Sequence, residues 1–361
     1  MSSDSDRNLQ VQRDQIDSID AKILELMNLR ISAAKKIAAI KSELEQPAIY
    51  RPEREAQVLR SLKQLNHGDL LDSDIESLFR EIMSITRGSE AGLCAALLGP
   101  PGTFTEAAAL QHFGSKIRLA YYPTIDEICK AAETGQTDFA VVPIENSTEG
   151  GVNATLDRLT STPLQICGEI YLKIHHNLLS KAESLEAIQR VVSHTQALGQ
   201  CRNWLNRNLP QAELVPCNSN AEGARQAAQD NSVAGIAASS AAEKFGLDIM
   251  VANIEDEPGN TTRFLVLSDR ETPPSGNDKT SMLVSGRNRP GALFHLLKPL
   301  VDGNLDMTKI ESRPSRSGLW EYVFFVDVRG HSEDPKLEDA LKKIKAEAGL
   351  FKLLGSYPAS A

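Results

Sequence analysis

The sequence predicts three folded units in series: one all-helical, one α/β with two lobes, and one α+β. Three observations carry that prediction. No proline or glycine interrupts a strongly helical composition from about Asp6 to Leu44, the pattern of one long helix. From about residue 93 to 270, apolar runs of strand length alternate with helical stretches, and small or polar residues gather at the turns between them. After a polar, proline-rich linker, SDRETPPSGND, the pattern reads strand, helix, strand, strand, helix, strand.

With 361 residues, 41% hydrophobic and 24% charged, the chain has room for two or three domains of ordinary soluble composition. No apolar run approaches the ~18 residues of a membrane helix, and the N-terminus, MSSDSDRNLQ, is polar and acidic where a signal peptide is basic and then apolar. A cytoplasmic protein with no membrane partner is expected. The five cysteines are odd in number and scattered, and neither they nor the seven histidines form a ligand cluster, so reduced thiols and no metal are predicted. The net charge of -9 argues against a nucleic-acid surface. A small anionic substrate fits if cations are concentrated locally.

In the first unit, residues 1–91, the long helix carries an apolar stripe through Ile16, Ile19, Ile23, Leu26 and Ile37. Arg30 occupies a stripe position where the periodicity asks for leucine, and Lys41 follows about three turns later and about 20° round the axis. Arg13 lies one turn before Ile16. PEREAQVLRSLKQL reads as a second helix with Val58, Leu59, Leu62 and Leu65 inward, together with Arg54 and Glu55. A third, from about Asp72 to Arg87, turns Ile75, Leu78, Phe79, Ile82 and Met83 inward, and continuing its phase adds Thr86 and Glu90. Buried charge is costly unless it is paired or meets a ligand, so a surplus of cations points to a dianion; internal salt bridges are the plainer alternative. One long helix and two short ones leave the stripe uncovered, which predicts an intertwined homodimer, with higher association left open.

R-x-x-I-D-x-I-D from Arg13 to Asp20, then Arg30, Lys41 and P-E-R-E at Pro52 to Glu55, resemble the all-helical chorismate mutase family. The resemblance implies rearrangement of chorismate to prephenate without nucleophile or cofactor, with cations holding two carboxylates and the breaking ether oxygen. By position Arg30, Lys41 and Arg54 match the family's cations, Glu55 its hydroxyl-binding acid, and Arg13 the arginine donated by the partner subunit. Arg51 stands where many members have aspartate. Glu90 falls where some have glutamine, and only a protonated carboxyl can donate to the ether oxygen.

The second unit, residues 92–270, has its second lobe expected at about 172–252. LCAALLG reads as a buried strand leading through GPPGTFT, with Thr103, into a helix from Glu106 to His112, an arrangement that leaves backbone N–H groups for an anion; a capped turn is the alternative. FAVVPIENSTEGG places Glu145, Asn146, Ser147 and Thr148 beyond the end of a strand, where ligands bind in open α/β sheets. IHHNLLS and RVVSHTQALGQC add strands, and the latter runs on into a helix to Leu209. In DEPGNTTRFLVL a glycine turn delivers Thr261, Thr262 and Arg263 to the head of an apolar strand; a capped strand end is again the alternative. Two lobes joined by crossing strands leave a cleft. GPPGTFT, PIENS, SHTQALGQC and TTRF, in this order, resemble prephenate dehydratase, whose fold is like a type II periplasmic binding protein. That family converts prephenate to phenylpyruvate by losing carbon dioxide and water. By position Thr262 matches the catalytic threonine, Arg263 is a candidate for the substrate's remaining carboxylate, and Glu145, Asn146, Ser193 and Gln200 match cleft residues. Thr195 replaces the usual proline of the SHTQ run.

The third unit, residues 279–361, has the strand and helix order of a ferredoxin-like layer. NRPGALF opens its first helix with free N–H groups for a carboxylate, and ESRPS could meet an amino group; a capped helix and a turn are the alternative. GALF with ESRP resembles the ACT-type regulatory domain, in which phenylalanine binds across a subunit interface. Asn288, Gly291, Ala292, Leu293, Glu311 and Ser312 are the positions carried over, and feedback inhibition is the implied role. The whole then reads as a bifunctional mutase and dehydratase with no cofactor. Two other readings stay open: a dehydratase whose helical segment serves dimerisation, as Arg51 and Glu90 allow, and a non-catalytic amino-acid sensor.

Overall fold

The computed structural model describes residues 2–43, 50–88, 92–286, 289–314 and 322–360, with the side chains of 2–5 and 41–43 left aside. The N-terminal segment holds α1 (Ser2–Glu43), α2 (Pro52–Leu65) and α3 (Asp72–Gly88). α1 runs for 42 residues and carries its apolar stripe largely in the open, with Ile16, Ile23, Leu26 and Ile37 all at least half exposed. Leu65 and Leu78, expected inward, are 72% and 53% exposed. The physical reason is that the three helices divide their faces. One face, with Leu59, Ile75 and Met83, is buried, and Tyr50 beside it stacks against Phe113 and Phe139 of the next unit. The other face meets nothing else among the described residues.

The middle segment runs β1 (Cys94–Leu98), α4 (Phe104–Phe113), β2 (Arg118–Tyr122), α5 (Ile125–Glu133), β3 (Phe139–Asn146), β4 (Gly150–Gly151), α6 (Asn153–Ser161) and β5 (Gln165–Lys173). It continues with β6 (Asn177–Ser180), β7 (Arg190–His194), α7 (Thr195–Gln200), α8 (Arg202–Asn208), β8 (Glu213–Cys217), α9 (Asn220–Ala227), β9 (Val233–Ala237), α10 (Ser239–Phe245), β10 (Asp248–Val251) and β11 (Thr261–Ser268). The strands form two sheets, β2-β1-β3-β11-β5 and β10-β6-β9-β7-β8. The chain leaves the first lobe after β5 and returns to it as β11, which inserts antiparallel between β3 and β5. Leu172, expected to open the second lobe, therefore belongs to a first-lobe strand. β11 sits deep because Phe264, Leu265, Val266 and Leu267 are nearly inaccessible, each contributing about 1.5–3 kcal/mol of apolar burial.

The C-terminal segment comprises β12 (Asp278–Gly286), α11 (Ala292–Asp302), β13 (Met307–Pro314), β14 (Tyr322–Arg329), α12 (Pro335–Glu347) and β15 (Ala348–Pro358), in sheet order β13-β14-β12-β15. Its two helices cover one face of that sheet, around Leu296, Leu300, Leu337 and Ile344. The other face packs on the first lobe, where Leu283, Phe325, Leu354 and Tyr357 share one core with Ile166, Leu265 and Leu267. β15 crosses β5 so closely that a Cβ on Gly355 would lie 2.4 Å from the Ile166 carbonyl oxygen. Only glycine fits there, and its φ of +144° is also one that other residues rarely adopt.

Candidate active site

The turn before β11 contains Gly259 at φ +100°, which lets the chain swing sharply into the sheet and sets Asn260 and Thr262 beside the end of β3. Thr262 pairs across the ladder with Asn146. The Asn146 amide donates to Thr262 Oγ1 at 2.8 Å and to Asn260 Oδ1 at 2.7 Å. Its own oxygen accepts from the backbone N–H groups of Thr148 and Glu149. Both ends of the amide are thereby used, so its orientation is fixed. Because Thr262 Oγ1 accepts from Asn146, its hydroxyl hydrogen is left to point at an oxygen placed in the cleft. Ser147 closes the same corner, its Oγ accepting from Thr261 N–H at 2.9 Å.

The second lobe meets this corner through Gln200 at the end of α7. Asn260 Nδ2 donates to Gln200 Oε1 at 3.4 Å, and His176 Nε2 stands 2.7 Å from the same oxygen. Burial holds the His176 imidazole below its ordinary pKa, with the Gln200 hydrogen bond acting the other way. Ser193 is fully buried, hydrogen-bonded to the Ile236 carbonyl and the Asn220 side chain, so it braces the second lobe. Thr103 caps α4 by accepting from Glu106 N–H at 3.4 Å and donates to the Leu98 carbonyl at 3.1 Å. The lobes also touch through Glu106, which is 2.6 Å from Lys244 of α10. Gly102 lets the backbone pass there, since a Cβ would sit 3.2 Å from Phe245.

Two expected cleft residues face elsewhere. Successive side chains of a strand point to opposite faces, so Arg263 turns away from Thr262 and toward the C-terminal sheet. It is 5% exposed and donates to Glu169 (2.9 Å), Asp327 (2.6 Å) and Tyr357 (2.9 Å). Lys279 completes this buried cluster at 2.7 Å from Glu169. With its donors engaged, Arg263 is not placed to take a substrate carboxylate. Glu145 is turned the same way for the same reason, and forms an ion pair with Lys309 of β13 at 2.7 Å.

In the helical segment, Arg30 donates to Thr86 Oγ1 at 2.7 Å, and Glu55 pairs with Arg87. Burial pushes the Glu55 carboxyl up, with Arg87 and Arg30 pulling the other way. Burial likewise lowers Arg30, which Glu55 opposes. Arg30, Thr86 and Glu55 are thus brought together. Arg54 is not: Glu53, its neighbour, takes the buried position and bonds Arg51 at 2.7 Å, while Arg54, Arg51 and Arg13 lie exposed in the single chain. The α2 face carrying Arg54 belongs to the side that meets nothing else among the described residues. Glu90 and the Lys41 side chain lie outside the described residues.

In the C-terminal segment Gly291 caps α11 at φ +75°; Ala292 is half-buried and Leu293 37% exposed. Glu311 lies 3.1 Å from Lys309, so a lysine ammonium already meets the expected amino-binding carboxylate. Ser312 is on the exposed face of β13, and Asn288 lies outside the described residues.

Family profiles match in three blocks: chorismate mutase type II over residues 12–91, prephenate dehydratase over 95–272, and the ACT domain over 280–346. A bifunctional chorismate mutase/prephenate dehydratase from Neisseria gonorrhoeae is 51% identical over 99% of both chains. The chain belongs to that bifunctional family. A Pseudomonas aeruginosa member is 47% identical over 97% of both chains. Among solved structures, a prephenate dehydratase from Arthrobacter aurescens in complex with L-Phe matches with a TM-score of 0.69 and 34% identity, covering 74% of this chain and 90% of that one. Asn260, His176, Arg87 and Lys309 join these corners with no expectation from the sequence to announce them. Asn260 stands within GNTTRF, in the turn that precedes the strand, a place that does not by itself signal its bond to Asn146. The others depend on contacts between segments far apart in the chain, which no local pattern signals.

Proposed function

We propose that the chain catalyses two successive reactions, chorismate to prephenate in the helical segment and prephenate to phenylpyruvate in the two-lobed segment. The observation that carries this reading is the Thr262 hydroxyl oxygen, held as an acceptor by the Asn146 amide, with its own hydrogen free to donate to a bound oxygen. Prephenate loses its ring carboxylate as carbon dioxide; the electron pair enters the ring, and the ring hydroxyl departs with a proton as water. Hydroxide is a poor leaving group, and a donor at that oxygen lowers the barrier. Thr262 supplies the hydrogen bond, Asn146 holds Thr262 and Asn260 in place, and Asn260 and Gln200 orient substrate oxygens. A closed, poorly hydrated cleft favours loss of the carboxylate.

For the mutase step, Arg30, Lys41 and Arg54, with Arg13 of the partner subunit, hold the two carboxylates in a reactive geometry. The open apolar stripe of α1 supports a homodimer, which covers the stripe and surrounds the exposed Arg54 and Arg51. Domain boundaries at 1–91, 92–270 and 279–361, a cytoplasmic location and phenylalanine as the effector bound near Gly291 and Glu311 complete the reading. Incubation of purified protein with chorismate, followed by ultraviolet detection of phenylpyruvate, tests it. Prephenate accumulating without phenylpyruvate would remove the dehydratase half, and unchanged chorismate with active turnover of added prephenate would remove the mutase half.

A further inference from the structure

Two buried polar atoms in the network that reaches Thr262 through Asn260 and Asn146 have no protein partner among the described residues: Nε2 of Gln200 and Nδ1 of His176. A buried donor left without an acceptor is costly, and native proteins seldom carry one without a ligand or water to meet it. The two side chains are bonded to each other at 2.7 Å. Gln200 Oε1 can only accept, so His176 Nε2 carries the hydrogen. The imidazole is itself held firmly: it is 2% exposed, its ring meets Phe104 edge-on at 5.7 Å, and its backbone N–H donates to Glu255 at 2.9 Å. Gln200 Oε1 also accepts from Asn260. With its oxygen gripped from two sides, the Gln200 amide has one orientation, and its N–H group is the end left unsatisfied.

We infer that His176 is a positioning residue of the dehydratase, fixing Gln200 so that its Nε2–H meets an oxygen of bound prephenate. This rests on the reading of the cleft as the dehydratase site. His176 touches no substrate; it removes the alternative amide orientation, in which an oxygen would face the anionic ligand and repel it. The bond formed is made to substrate and transition state alike, so its loss falls on KM.

The test compares H176F, which keeps a ring against Phe104 without the N–H, with H176Q, whose amide nitrogen reaches the place of Nε2. H176F is expected to raise KM for prephenate about tenfold with kcat within about threefold, as for loss of one hydrogen bond to a charged ligand. H176Q is expected to restore most of the affinity. In a Q200A background, H176F is expected to add little, because the two act as a unit. If H176F does not accumulate as folded protein, H176N, too short to reach Gln200, carries the same expectation. An unchanged KM in H176F, H176Q as impaired as H176F, or additive effects with Q200A would overturn the inference. Failure of the underlying reading is distinct: wild-type protein, or T262A at wild-type rate, would then give the wrong dehydratase result before any His176 variant is made.

Discussion

Lys309 reaches from β13 to Glu145, one residue before the amide that holds Thr262, and bonds Glu311 on its own strand at 3.1 Å. A shift of β13 against the first lobe therefore pulls directly on the peptide beside Asn146. The K309M variant is expected to keep phenylalanine binding within about threefold while its dehydratase rate responds less to phenylalanine, a coupling change of about 1–3 kcal/mol. Calorimetric binding set beside inhibition curves checks this; inhibition as strong as in the wild type would mean that the bridge transmits nothing.

T262A removes the donor at the leaving oxygen. Dehydration is expected to fall about a hundredfold or more, the scale of losing one preorganised donor, while the mutase rate stays near wild type. Separate assays with chorismate and prephenate measure the two.

R263M tests the revised placement of Arg263. Removing one charge from the buried cluster with Glu169, Asp327 and Lys279 leaves a carboxylate uncompensated, and is expected to cost about 3–5 kcal/mol of stability. Urea unfolding measures it. A variant as stable as wild type with a selectively raised KM for prephenate would restore the substrate-carboxylate role.

Acid stability should carry the mark of two imidazoles. Burial holds His112 well below, and His176 below, the ordinary value of 6.5. Near His176 lie Glu255 and His175, and near His112 Arg80 and Arg87. Above that ordinary value both states leave these rings neutral and their contribution is fully present. As pH falls through it, the unfolded chain binds protons that the folded chain refuses, so stability declines until the lower folded values are reached. H112Q and H176Q are each expected to flatten the slope of unfolding midpoint against pH between about 6.5 and 5.

Glu90 bears on the mutase. If it donates to the ether oxygen as a protonated carboxyl, mutase activity declines toward alkaline pH, and E90Q abolishes the decline. Matching pH profiles in the two proteins would refute this role.

What was legible followed from local pattern. Strand and helix order in the C-terminal unit, the return of TTRFLVL to the first lobe and the Thr262 corner all arise from turn chemistry and apolar runs, which act within a few residues. Arg263 and Glu145 were misplaced because a motif names neighbours together, while a pleated strand sends them to opposite sides. Which side is solvent, ligand or protein depends on β12 to β15 lying over β5 and β11, a contact between residues far apart in sequence. Arg54 and Leu65 were misplaced for a related reason: the helical pattern marks a face as apolar without saying which molecule covers it.

The core shared by Leu265, Leu267, Leu354 and Tyr357 makes the last segment a roof over the dehydratase sheet. Truncation at the linker would strip hydrophobic cover from the strand that carries Thr262 and strand the Arg263 cluster without Asp327 and Lys279. Through that seam the C-terminal sheet and the strand bearing Thr262 lean on each other, so deleting the last segment is expected to cost the dehydratase its footing, and substitutions that spare the seam are the cleaner way to alter its behaviour.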